Sequence, residues 1–237
     1  MRRWRCPGAS WSRILTVILV SGIAVGALSA GSALPAAAHG ALPAKAKKAL
    51  LVLSDFPKGW TSAKSDNNNS SFPGAAQLAS CIGIPASTVN DNPPTVYSPT
   101  FSSKNSVESV QDNVSVYASA KAARADYESI ANSKTPACLT TVLNGAAKKA
   151  LQSGFGSGGT IGNVLVSRTP AGDYAPHTAN FTAFIPFTSK GETLNLELTV
   201  VDYVKGTYEQ TVTLTSIEDP FPTSLARHVT GVADGRI

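Results

Sequence analysis

The chain has 237 residues, 43% of them hydrophobic and 15% charged, with a formal net charge of +5. Every charge in residues 1–38 comes from Arg2, Arg3, Arg5 and Arg13; without them 16 basic groups face 15 acidic ones, a net of +1 over 39–237. That balance, with no basic stripe beyond Lys45, Lys47 and Lys48 and no basic–aromatic interleaving, gives nucleic-acid binding no electrostatic support.

The basic start, the apolar run 14–28 and the small-residue segment ending in Ala36-x-Ala38 are the three parts of a secretory signal peptide over 1–38. The expected product is a single domain, 39–237, of ordinary size, secreted or held in the extracytoplasmic cell envelope. An uncleaved N-terminal anchor is the alternative, although the run is short of the roughly 20 residues a spanning helix needs. No other stretch is long and apolar enough to span a membrane.

Residues 44–53 place Ala46, Ala49, Leu50 and Leu53 on one helical face with lysines opposite. Pro57 and Gly59 end that helix, and Trp60 anchors the next segment in the core. Residues 62–74 read as a polar loop, 77–81 as a short helix and 90–100 as a turn-rich connector. Over 107–118 the alternation of Val110, Val114, Val116 and Ala118 predicts a strand. The pattern then switches to helical spacing over 119–131, with Ala120, Ala123, Tyr127 and Ile130 on one side. Thr135 as cap and Pro136 at the first helical position open another helix, read as running to 151.

Strands follow at 160–168, 178–188, 193–204 and 208–217. Phe181, Ala183, Ile185 and Phe187 alternate with polar residues; so do Leu194, Leu196, Leu198 and Val200; so do Val212 and Leu214. Lys190-Gly191 and Lys205-Gly206 supply hairpin turns. A last helix over 222–232 carries Leu225, Val229 and Val232 on one side. The expected fold is α+β: an antiparallel β-sheet with one buried and one polar face, and helices packed on one face.

Cys6 lies in the leader, which leaves Cys81 and Cys138. In an exported protein the simple reading is one disulfide; two free thiols or a redox pair are the rivals, and no C-x-x-C spacing favours catalysis. Gly154 to Gly159 spell G-x-G-x-x-G, with Asp173 further on. A dinucleotide turn follows a strand and opens a helix. Here a helix precedes the glycines and a strand follows, so the segment reads as a connector, predicted to exchange its amide hydrogens readily. No cofactor is implied.

His39, His177 and His228 share no ligand spacing, so no metal site is expected. No G-x-S-x-G elbow accompanies a histidine. Glu197 and Glu209, both assigned to the polar sheet face, are a conceivable carboxylate pair. That polar face, with Thr193, Asn195, Glu197, Thr199, Glu209, Thr211 and Thr213, is the expected ligand-binding location.

The stretches "LLVLSDFPKGWT", "LASCIGI" and "VSVYASAKAARADYESIANSKTPACL" resemble small exported proteins of actinobacteria. Those are similar to envelope lipoproteins and sensor-like extracytoplasmic domains with PsbP/Mog1-like or PknH-sensor-like α+β folds. The shared residues, Trp60, Cys81 and Cys138, are structural, and no lipobox cysteine is present. The resemblance implies a compartment and a fold. The expected function is a non-enzymatic domain of the cell envelope that binds a small molecule, a lipid or an envelope protein. A secreted hydrolase using carboxylates or His228, or a structural envelope-interaction protein, is the alternative.

Overall fold

The computed structural model describes residues 42–65, 74–84, 93–145, 148, 149, 159–169, 178–189 and 191–237. Helix α1, Leu42–Ala49, buries Ala46, Ala49 and Leu50 as expected. It stops short of Leu53, which begins a 3-10 turn, Leu53–Asp55, and is 43% exposed. Trp60 stacks on Phe56 with ring centroids 4.9 Å apart. Three short strands occupy segments read as loop: β1 (Thr61–Ala63), β2 (Thr95–Tyr97) and β3 (Thr100–Ser102). Three residues are too few to show a period, which is why they escape a pattern search.

Helix α2 is Ala75–Ile82, β4 is Glu108–Val116 and α3 is Ala120–Ile130, capped by the Ser119 hydroxyl on the Ala122 amide. In α4, Thr135–Asn144, Thr135 is already helical. Its hydroxyl donates to the Ile130 carbonyl at 2.7 Å, tying α4 to α3 instead of capping it. The segment expected to be one strand at 160–168 is two, β5 (Gly159–Ile161) and β6 (Leu165–Arg168). The long strands follow: β7 (Thr178–Ser189), β8 (Glu192–Lys205) and β9 (Tyr208–Ile217), then α5 (Thr223–Asp234). Gly191 and Gly206 turn the two hairpins at φ 82° and 62°, where a side chain would be strained. The leader, His39, His177, Asp173 and the glycine run up to Gly158 lie outside the described residues.

Among the described residues every strand pairing is antiparallel, in the order β1-β3-β4-β9-β8-β7-β5, with β2 also on β4 and β6 also on β7. The α+β class with an antiparallel sheet therefore holds. The helices, however, cover both faces. On the front face α2, α3 and α4 set Leu78, Ile82, Ile130, Leu139 and Leu143 against Phe181, Ile185, Leu196 and Leu198. Cys81 and Cys138 are joined there, Cα atoms 5.7 Å apart, linking α2 to α4. On the back face Ala226, Val229 and Ala233 of α5 pack on Val201, Tyr203, Val212 and Leu214. Helix α1 joins the back face on Val114 and Val116. The reason lies in β8, whose apolar residues change parity: Leu196, Leu198 and Val200 are even, Val201 and Tyr203 odd. One strand thus serves two cores, one per face.

Candidate functional site

Register decides which of the expected ligand residues stand together. Paired residues of antiparallel strands share a face. Glu197 pairs with Ser216 and Thr199 with Leu214, whereas Thr213 pairs with Val200, Thr211 with Asp202 and Glu209 with Val204. Thr193, Asn195, Glu197 and Thr199 are therefore on the back face, and Glu209, Thr211 and Thr213 on the front. Glu197 and Glu209 cannot form a pair, because the sheet lies between them. Each strand does alternate, but the polar parity of β8 and that of β9 fall on opposite faces.

Thr193, Asn195 and Glu197 stand on a part of the back face that keeps solvent contact, and Thr199 is buried at its border. One row crosses the strands there: Leu165 of β6 pairs with Phe184 of β7, which pairs with Glu197 of β8. Leu165 is 59% exposed and Phe184 42%. The next rows add Pro186 beside Asn195 and Thr188 beside Thr193, whose hydroxyls bond each other at 2.8 Å. The other border is a chain of hydroxyls, Thr169–Thr182 at 2.6 Å and Thr182–Thr199 at 2.9 Å. Partial burial raises the Glu197 carboxyl pKa, against a backbone hydrogen bond from Phe221 that lowers it. The arrangement is an apolar strip flanked by groups that donate and accept hydrogen bonds, on a rigid support. The back-face members of the expected set line it; Leu165 and Phe184 complete it. They were legible as apolar residues in polar registers of their strands, a signal the search for apolar alternation passes over.

Glu209 and Thr211 of the front-face group have a different character, because they are buried, whereas Thr213 is partly exposed. Asp202, Glu209 and Thr211 lie under α3 with Asp126 and Tyr117, all almost without solvent contact. The Tyr117 hydroxyl donates to Asp126 Oδ2 at 2.8 Å, and the Thr211 hydroxyl to Asp202 Oδ1 at 3.1 Å. Desolvation drives the Glu209 pKa well up, with the charges of Asp202 and Asp126 adding to it. Asp202 is pushed up to about 7, first by burial. Protonated, Glu209 shares a hydrogen bond with Asp202; ionised, it sets a further negative charge beside Asp202 and Asp126 in a buried site, with the Tyr117 phenol to offset it in part. Burial together with the neighbouring Glu209 and Asp126 carboxylates holds the Tyr117 phenol protonated far above its ordinary range. This cluster can hold protons. Among the described residues it does not form a set able to hold a metal ion.

A fourth buried acid, Asp112, sits on the back face. It accepts from the Leu51 amide at 3.2 Å and from Gln210 Nε2 at 2.8 Å, and burial pushes its pKa up to about 6. His228 meets the Asp55 carbonyl at 3.1 Å through Nε2. Beneath α4 the front core leaves a gap of about 10 Å³ between Leu139, Leu143, Phe181, Leu198 and Val200, room for about one water.

No family model matches the chain, and no curated protein matches it. Among solved structures the chain is similar to the extracellular domain of PknH from Mycobacterium tuberculosis, with 11% identity and a TM-score of 0.35, covering 62% of this chain and 79% of that one. The likeness is loose and concerns the fold alone.

Proposed function

We propose that the protein is an exported, non-enzymatic domain of the cell envelope that takes a ligand or partner on the open part of the back face. The observation that carries this reading is the row Leu165–Phe184–Glu197, with two exposed apolar side chains, on the face against which α5 packs at Val201, Tyr203, Val212 and Leu214. Contiguous exposed apolar surface rimmed by polar groups marks interaction sites. The leader pattern and the Cys81–Cys138 cross-link support an oxidising, extracytoplasmic setting. No helix among the described residues is long and apolar enough to cross a membrane.

Native mass spectrometry of the exported protein, purified from its own host, tests the reading. The expected result is a retained molecule or a co-purifying partner that is lost in Phe184→Ser while the fold persists. A bare mass from wild type, or retention that Phe184→Ser leaves unchanged, would reject it. Hydrolytic turnover abolished by Glu197→Gln would establish the enzyme reading in its place.

A further inference from the structure

The geometry points to a second contact surface, at the end of the sheet where β8 turns into β9, that docks the domain on an anionic phospholipid bilayer. Lys205 closes β8 and pairs with Tyr208 across the hairpin. Lys45 of α1 holds its ammonium 5.4 Å above the centre of that same ring. Because Ala46, Ala49 and Leu50 turn inward onto Val114 and Val116, Lys47 and Lys48 are left on the solvent side of α1. The Tyr117 amide bonds the Thr207 carbonyl at 2.8 Å, which brings the start of α3, with Lys121, to the same end. All five lysines are exposed.

Among the described residues, the acids at this end do not offset them on the surface. Asp112, Asp126, Asp202 and Glu209 are buried, and Asp234 at the end of α5 is partly exposed. At the opposite end of the strands Glu192 in the β7–β8 hairpin, and Glu218 and Asp219 after β9, are exposed, with Lys104 nearby, while the exposed Glu128 of α3 is paired with Arg124 at 2.9 Å. Exposed lysines at one end of the strands and exposed acids at the other thus give the described surface a charge difference along the strand axis, a distribution that orients the domain in the field of a charged surface.

The bilayer is favoured as the occupant by where the chain enters. Leu42 opens α1 at the basic end, and residues 29–41, which can span at most about 45 Å, separate it from the apolar run 14–28. Before the leader is removed, or where it stays as an anchor, that run lies in the membrane and this end of the domain is the one tethered next to it. Each lysine near an anionic leaflet strengthens binding by about fivefold.

The inference goes beyond the back-face reading and is tested apart from it. The exported protein is sedimented with vesicles of phosphatidylglycerol and phosphatidylcholine in equal parts, and with pure phosphatidylcholine, at about 25 and about 300 mM salt. Expected are binding to the anionic vesicles, at least tenfold weaker at the higher salt, and negligible binding to the neutral ones. The triple variant Lys45→Ala/Lys48→Ala/Lys205→Ala loses affinity by about a hundredfold, arginine at the same three positions restores it, and Glu192→Gln/Glu218→Gln does not lower it. Phe184→Ser binds the vesicles as wild type does, so failure of the back-face reading leaves this one standing. Equal binding to both vesicles, a triple variant that binds as wild type, or no binding at all would overturn it. So would binding to soluble polyphosphate without binding to vesicles, which assigns the surface to an anionic polymer.

Discussion

Phe181 and Phe184 lie three residues apart on β7 and face opposite ways: Phe181 is 3% exposed in the front core, Phe184 42% exposed on the back. A strand turns its side chains alternately, so an odd separation puts two aromatics of one strand into different environments. Phe181→Ala empties a packed site and is expected to cost about 3–5 kcal/mol. Phe184→Ser removes a side chain that water already reaches, and is expected to cost about 1 kcal/mol or less. Urea melts of the two variants check the difference; equal losses would mean that Phe184 is covered in solution.

The carboxyl cluster under α3 sets how stability responds to pH. In the unfolded chain Asp and Glu titrate near 4, whereas folding raises Asp202 to about 7 and Glu209 well above its ordinary value. Between those values the folded state holds protons that the unfolded state has released. This contribution is therefore fully present below about pH 4 and is lost as pH rises through 7 and beyond. Asp112, raised to about 6, acts with the same sign over a lower window. The expected outcome is a melting temperature that falls between pH 5 and pH 8. Glu209→Gln keeps the shape and the hydrogen-bonding groups without a carboxyl to ionise. It is expected to melt several degrees above wild type at pH 8 and close to it at pH 5. Equal melting of wild type at the two pH values would contradict the account.

These buried acids also show what the sequence can and cannot disclose. Asp112 sits at an even position of β4 between Val110 and Val114, and Asp202 at an even position of β8 after Leu198 and Val200. An acid in the apolar register of a strand is a readable sign of a buried charge with assigned partners. Glu209 offers no such sign. It occupies the polar register of β9, and is buried because α3, remote in sequence, lies over it. The long strands, α3, α4 and the cysteine pairing were legible because each repeats a period over two or more turns or rests on a two-member choice. The short strands β1 to β3 have no period, and the division of Glu197 from Glu209 depends on register between strands, which pattern within each strand does not contain. The open back-face row depends as well on how far α5 extends across the sheet, a tertiary fact.

Reducing the cross-link tests the role of Cys81 and Cys138. Their sequence separation of 57 residues corresponds to about 4 kcal/mol in the chain-entropy account. Because the bond also holds α2 on the front core through Leu78 and Ile82, the paired variant Cys81→Ser/Cys138→Ser is expected to melt at least roughly 8 °C lower than wild type, from about 2–4 °C per kcal/mol for a chain of this size. Amide exchange in α2 is expected to rise more than in β8. A reduced protein that melts with the oxidised one would show that helix packing alone holds α2 in place.

Asp112 joins three segments distant in sequence, and its removal is expected to be among the costliest single polar changes in the chain. Its carboxylate receives the Leu51 amide, just after α1, and Gln210 Nε2 of β9, while the Ser98 hydroxyl receives the Asp112 amide at 3.0 Å. Asp112→Ala leaves two buried donors without that acceptor, each worth about 1–3 kcal/mol when left unmade, and opens space beneath Leu51. Asp112→Asn keeps one acceptor oxygen and the volume, but sets an amide against the Gln210 amide, and is expected to lose about half as much. The order wild type, Asn, Ala in urea midpoints at pH 7.5 checks the assignment. At pH 5, below the value of about 6 to which burial raises this group, the wild-type carboxyl is mostly protonated. The gap between wild type and Asp112→Asn is then expected to change, while that between Asn and Ala stays constant. An Asn variant that tracks the Ala variant at both pH values would show that the charge, and not the acceptor geometry, holds α1 to the sheet.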